Sequence, residues 1–493
     1  MNRSIFAQLE QHGRFEMELT DLEEKYKSLS LGENGVMLYR QTSEKEEDHF
    51  ELIRLDSSLQ VVWKEFFLVG KGIQLLRVQH YKEQVYFLFK ERNVIGTDFQ
   101  IASVRLSDAA FGSYTVKNII PFMPSSFIVT DEAALVGGYF NYRPLVVYYS
   151  FKEKRAKILA GFFNEPGELN QLKAFEDGSV DVIVSARNFE KKRCLWIRNY
   201  DSQGNLVKTT IIQPEKDKNL IFGNSIKLAN GEEIIAGAYG RYSNAEYSRG
   251  LFVAGINKLG EYSIDYYNFG HLQNFFSYMR AGRQKRLKSR IERKTIRGKK
   301  VKFNYRFIIH DFIPYKNQYI MTGEAFYPHY IYTNMYSNTY RSSFSRSYTS
   351  GYFPQQRNDM IFDGYQYTHA VVIGFDSNGK LAWDNSFEIN DVRTMELEKF
   401  VKVRPQPDRI IMMYLYSNTL RTKIIHDAEV LEGKTKDPLK LNPGSEVNKI
   451  KQAETEQLDY WYGDYFYTFG IQKWQFDKEP TKRILYINKI TYH

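Results

Sequence analysis

Leu195-Trp196-Ile197-Arg198-Asn199-Tyr200-Asp201-Ser202-Gln203-Gly204 is the phrase that decides the fold. A run of apolar and aromatic residues ends on an Asp that can hydrogen-bond the backbone beyond it, and a Gly follows that can take positive φ. The phrase is therefore a strand running into a tight turn. Reading outward, the same phrase recurs as Leu52-Ile53-Arg54-Leu55-Asp56, Ala102-Ser103-Val104-Arg105-Leu106, Leu145-Val146-Val147-Tyr148-Tyr149 and Phe252-Val253-Ala254-Gly255-Ile256-Asn257. It returns as Val371-Val372-Ile373-Gly374-Phe375-Asp376, Thr422-Lys423-Ile424-Ile425-His426-Asp427 and Leu485-Tyr486-Ile487-Asn488.

A second turn precedes each copy, at Gly35, Glu83, Glu132, Gly178, Gly231, Asn317, Pro407 and Gly463, and opens runs such as Val36-Met37-Leu38-Tyr39. The early anchors lie 51, 44, 50 and 56 residues apart, the length of a four-stranded sheet with its turns. Eight copies predict an all-β chain folded as a single eight-bladed β-propeller over residues 1–493, with seven blades as the alternative. The last copy ends after its third strand, and an orphan strand opens the chain at Arg14-Phe15-Glu16-Met17-Glu18-Leu19. If residues 14–19 complete the final blade, the two ends zip the ring shut.

Composition agrees with half-buried pleated strands: 37 Tyr and 35 Phe against 13 Pro in 493 residues. One cysteine, Cys194, excludes an internal disulfide framework and a Cys-rich zinc site, and its strand position reads as a small buried hydrophobe. No apolar run reaches the ~18–20 residues that span a bilayer. The net charge of +10 is local: residues 280–306 carry thirteen Lys or Arg and one acid, Glu292, a net +12, and the rest of the chain carries −2.

At two turns the phrase tightens to Asp56-Ser57-Ser58-Leu59-Gln60-Val61-Val62-Trp63 and Asp376-Ser377-Asn378-Gly379-Lys380-Leu381-Ala382-Trp383. These resemble the tryptophan-docked repeat of PQQ-like propellers, which implies that the outer-strand Trp packs between blades. Family members include quinoprotein dehydrogenases and the propeller lipoprotein of the Gram-negative outer-membrane assembly machine. Two of eight repeats match, and Tyr114, Thr209 or Tyr266 stands at the Trp position elsewhere. The resemblance is architectural and implies no cofactor. WD40 pairs and sialidase-type Asp boxes do not recur.

The spacing from Asn257 to Asp376 is 119 residues but holds one blade's worth of strand signals, so two insertions flank those strands. Residues 271–302 predict a basic helix. Phe276, Leu287 and Ile291 share a narrow apolar stripe, Gly298 is a stop signal, and Arg280, Arg283, Lys285, Arg286, Lys288, Arg290, Arg293, Lys294 and Arg297 form the other side. These nine cations are the candidate site for an anionic partner, with Phe275, Phe276 and Met279 as apolar anchors for it, since their mutual repulsion is relieved by an acidic surface. The plainer reading is a solvated face of a packed helix.

Residues 327–367 predict a loop rich in Tyr, Ser, Asn and Arg. Its Tyr327, Tyr330, Tyr332, Tyr336, Tyr340, Tyr348 and Tyr352 offer rigid contact area with a polar tip, as binding loops do.

No nucleophile, ligand or cofactor spacing is present: no HExxH, Walker loop or GxSxG elbow, and nine scattered His. His310-Asp311 is the most suggestive pair, but neighbours in a regular strand face opposite ways. The expectation is a non-enzymatic binding or scaffold propeller without catalytic residues, cofactor or metal, engaging a protein partner or an anionic membrane surface. It is expected in a bacterial periplasm or envelope complex, because Ser4-Ile5-Phe6-Ala7-Gln8 resembles the end of a secretory signal. The alternatives are a carbohydrate-processing propeller whose carboxylates meet across blades, and a cytoplasmic propeller holding nucleic acid with the basic arm.

Overall fold

A computed structural model describes residues 9–20, 25–44, 47–70, 72–91, 98–117, 120–162, 166–228, 230–241, 244–299, 301–303, 305–332, 360–439, 449–475 and 480–492. Eight antiparallel sheets follow one another along the chain: blades 1 to 7 at 27–68, 73–116, 123–158, 167–212, 218–268, 306–388 and 402–432, and blade 8 from 449 onward. In each of the first seven the strands lie in chain order from the innermost outward. The chain is an eight-bladed β-propeller.

Blade 8 takes its outermost strand from the start of the chain. Leu9–Leu19 pairs antiparallel with Lys482–Tyr492, Phe15 opposite Ile487 and Leu19 opposite Arg483. Arg14 fixes the register: its guanidinium donates to Asn488 Oδ1 at 2.9 Å and Gln472 Oε1 at 2.8 Å, and lies 4.5 Å from the Tyr486 ring centre.

Antiparallel strands sort the connections onto two sides of the disc. One side, here the turn face, holds the tight turns between first and second and between third and fourth strands. The other, the linker face, holds the connections between second and third strands and between blades. On the turn face the Asp side chains cap their own turns. Asp56 Oδ1 accepts from Ser58 and Gln60 N–H at 2.8 and 2.9 Å, Asp201 from Gln203 and Asn205 at 3.0 and 2.8 Å, and Asp376 from Asn378 and Lys380 at 2.9 and 2.8 Å. Gly379 sits at φ 75°, where a Cβ would be strained. Trp63 donates to Leu106 O of blade 2 at 2.8 Å, and Trp383 lies over Gly374, where a Cβ would come within 2.2 Å of the indole, buried in the seam with blade 7.

Between blades the apolar residues of facing sheets form the core, with Cys194 fully buried and burial raising its thiol to about 11. Nearer the axis every seam carries a polar link. Examples are Arg77 to Ser125 O at 3.3 Å, Gln171 to Ser225 at 2.9 Å, Val401 N to Glu324 at 2.6 Å, Lys402 to Asp459 at 3.2 Å and Ser28 to Gln457 at 2.9 Å. The innermost strands of blades 2 to 6 each contain a β-bulge, at Leu76, Ser125, Asn170, Ile221 and His310. Each bulge turns consecutive side chains off strict alternation.

Candidate functional site

Both insertions leave from the linker face at blade 6. The first, between blades 5 and 6, opens with Asn268 accepting from Gly270 N at 2.9 Å. Asp384 of blade 6's outermost strand then accepts from Gln273 and Asn274 N–H at 2.7 and 2.8 Å, and Ser386 Oγ donates to Asn274 O at 2.7 Å. Burial pushes the Asp384 carboxyl up, opposed by these backbone donors. Phe275 and Phe276 are buried in the seam between blades 5 and 6 with Phe269, Leu272 and Phe303. They anchor the segment to the ring and are not available to a partner. Each such burial contributes about 1.5–3 kcal/mol.

Helix α1, Ala281–Ile296, rests on this anchor. Ile291 is buried and Leu287 half-buried against the same cluster, while Phe276 precedes the helix. Gly298 ends it at φ 64°, its N–H bonded to Thr295 O at 2.9 Å. Arg280, at the N-cap, gives no side-chain cap. Of the nine candidate cations, Arg280, Arg283, Lys285, Arg286, Lys288, Arg290, Arg293 and Arg297 are exposed and Lys294 is half-buried. Among the described residues none of the nine is ion-paired with a carboxylate; Arg293 donates to Ser289 O. Like charges three and four apart on a helix oppose it by ~0.2–0.5 kcal/mol per pair. The docked apolar side holds the helix against that repulsion.

The second insertion starts as a hairpin. Gln318–Tyr332 and Met360–Phe375 run well past the end of blade 6's first strand, pairing Tyr327 with Gln366 and Tyr330 with Phe362. Tyr327 is exposed, and Tyr330 is half-buried against Phe362. Tyr332 lies in the strand, and Tyr336, Tyr340, Tyr348 and Tyr352 lie outside the described residues. Thus the first and last parts of the expected 327–367 loop are sheet, because Tyr and Ile there find cross-strand partners.

The first insertion packs on His369, in the third strand of blade 6. The Tyr278 ring stacks on its imidazole at 3.8 Å, Phe275 meets it edge-on at 4.8 Å, and the Tyr278 and Tyr305 hydroxyls are 3.1 Å apart. His369 is fully buried, Nδ1 is 2.9 Å from Thr368 Oγ1, and burial lowers its pKa to about 3. Residues 278, 305 and 369 are linked only by the fold, so nothing in the one-dimensional pattern marks this contact.

His310 and Asp311 depart from the alternation argument. The bulge at His310 turns both side chains toward blade 7: His310 Nε2 lies 2.8 Å from Glu324 Oε2, and Asp311 contacts Lys399 and, at 3.0 Å, Thr322. Glu324 is buried and also accepts from Val401 N–H. Burial raises the Asp311 carboxyl, but Lys399 and the Thr322 hydroxyl outweigh it and hold it below the usual range.

A second polar group lies between blades 4 and 5 at the turn-face end. Lys227 is 2.9 Å from Asp181, and Asn199 donates to the same oxygen at 2.7 Å. Burial and the neighbouring Asp181 raise Glu233 to about 7. Among the described residues no group of three or more His, Cys, Asp or Glu is gathered to hold a metal ion.

No known family and no curated protein matches the sequence. Solved structures are similar in chain path at very low identity. The polysaccharide lyase Uly1 is 10% identical, with TM-score 0.40, over 84% of this chain and 89% of its own. The β-propeller domain of the Trilobed protease from Pyrococcus furiosus, described as having an open velcro topology, is 8% identical, with TM-score 0.38, over 83% and 98%. A Synechocystis apocarotenoid oxygenase mutant is 7% identical, with TM-score 0.29, over 46% and 57%. No functional argument follows from likenesses this distant.

Proposed function

We propose that this chain is a non-enzymatic binding propeller that docks a partner on its linker face, the face that carries both helix α1 and the Tyr-bearing hairpin. One observation carries the reading: eight of the helix segment's nine cations are exposed and, among the described residues, none of the nine forms an ion pair with a carboxylate, while its apolar side is consumed by the ring. A helix serving only as a wedge filler gains nothing from such a face, which weakens it. Membership of a bacterial envelope complex is part of the proposal and rests on the resemblance of the Trp63 and Trp383 repeats to PQQ-like propellers.

Replacing Arg283, Lys285, Arg286 and Arg290 with Gln is expected to weaken association at least tenfold and flatten its salt dependence, with the melting temperature within about 2 °C of wild type. Native-membrane pull-downs and thermal melts of both proteins check this. An unfolded variant whose binding is unchanged makes the segment structural.

A carbohydrate-processing enzyme is the second reading, favoured by His310 beside buried Glu324 near the axis. Turnover in a glycan panel that His310→Ala abolishes would establish it.

A further inference from the structure

We propose that the partner of the linker face is an anionic lipid surface, on which the disc lies flat; this rests on the binding reading above. The cations of α1 are only part of that face. Lys191 in a connection of blade 4, and Arg193, Arg241 and Arg249 toward the linker-face ends of strands in blades 4 and 5, add to it, although Arg193 is tied to Glu168 at 2.6 Å and Arg249 to Phe303 O, and Glu190 and Glu215 neutralise Lys192 and Lys218 there.

The opposite face has the opposite sign for a structural reason: its turns are capped by acids such as Asp56, Asp108, Asp177, Asp201 and Asp376. A disc basic on one side and acidic on the other orients itself in the field of a negative surface, within about a Debye length of ~8–10 Å.

Apolar tips interleave with these cations. On the linker face Met123 is 49% exposed, Tyr142 56%, Phe189 fully, Ile296 77%, Tyr327 48% and Met395 52%. They come from blades 3, 4 and 6 and from the connections flanking blade 6, so they form a scattered set around one side of a ring. A protein interface concentrates its anchors in a central desolvated pocket. Separated apolar tips among Lys and Arg suit a headgroup layer, where each tip inserts singly and each cation adds attraction. Leu259 on the turn face is exposed too, at 84%. Apolar tips therefore do not choose the side; charge does.

The test is co-sedimentation of the intact chain with vesicles of phosphatidylcholine alone or with about 30% phosphatidylserine. Binding is expected only with phosphatidylserine, falling at least tenfold between 50 and 500 mM salt. The Arg283, Lys285, Arg286 and Arg290 to Gln variant should lose at least tenfold, and Phe189→Ser with Ile296→Ser a further severalfold. Lys82→Gln with Lys380→Gln on the turn face should change nothing. Equal binding to both vesicles, no binding to either, or equal loss from the turn-face variant overturns the proposal. If vesicles fail while a purified acidic protein is held through the α1 cations, the lipid assignment falls and the binding reading stands. If both fail, both fall.

Discussion

The turn face and the linker face are built from the same eight sheets, yet one repeats and the other does not. At the turn face each corner has a local job, reversing the chain in two to five residues, and at most of them a polar side chain with a positive-φ residue does it. At the linker face the chain must travel from rim to axis, and length there is unconstrained by the ring. That is where 269–305 and the long hairpin of blade 6 were accommodated. Regularity marks what the fold requires, and departure from it marks what can be devoted to binding.

The contrast breaks most severely at the ring's closure. Removing residues 1–20 leaves Lys482–Tyr492 as an open edge and uncovers Phe15 and Met17's neighbours in the core between blades 8 and 1. The melting temperature is expected to fall by about 10 °C or more, with self-association through the edge, by thermal melt and size-exclusion chromatography.

A smaller effect separates the faces by pH. Glu233, near the turn face, has its folded pKa raised to about 7, so its contribution is greatest while it is protonated and declines as pH rises from ~4.5 through ~7. Glu233→Gln is thus expected to stabilise the ring by about 1–3 kcal/mol at pH 8 and by almost nothing at pH 4.5, read from denaturant melts.

His369, at the linker face, has the opposite sign. Its folded pKa of about 3 lies below the unfolded ~6.5, so its contribution is complete above ~6.5 and is lost as pH falls from there toward 3. Opening of 269–303, followed by hydrogen exchange, should become easier by about 2 kcal/mol between pH 7.5 and 5. His369→Phe should remove that dependence. An unchanged slope would show that protonation of His369 is not what loosens the insertion.

How much of this was legible in the sequence follows the same division. The strand-Asp-turn phrase is local chemistry, so eight blades, the corner Asp roles and the pairing of 14–19 with the last blade could be read from residues alone. Helix α1 was legible through Leu287, Ile291 and Gly298. Phe275 and Phe276 were misassigned as anchors for a partner, because an apolar residue in an insertion does not announce which surface it covers. His310 and Asp311 were misjudged because a bulge inserts one residue without a composition signal. The meeting of Tyr278, Tyr305 and His369 spans blades and was invisible.

The closing strand also sets the order of events at the ribosome. Gln11 and Asn488, bonded at 3.3 Å between the two strands that complete blade 8, are 477 residues apart in the chain. At roughly 5–20 residues per second, the first strand made must wait about 25–100 s for the strand it pairs with. Blades 1 to 7 can form behind it in sequence, each from its own contiguous stretch. Until the end arrives, the nascent chain is an open arc whose first and last sheets both lack a neighbour, the interval in which a holdase chaperone has most to protect.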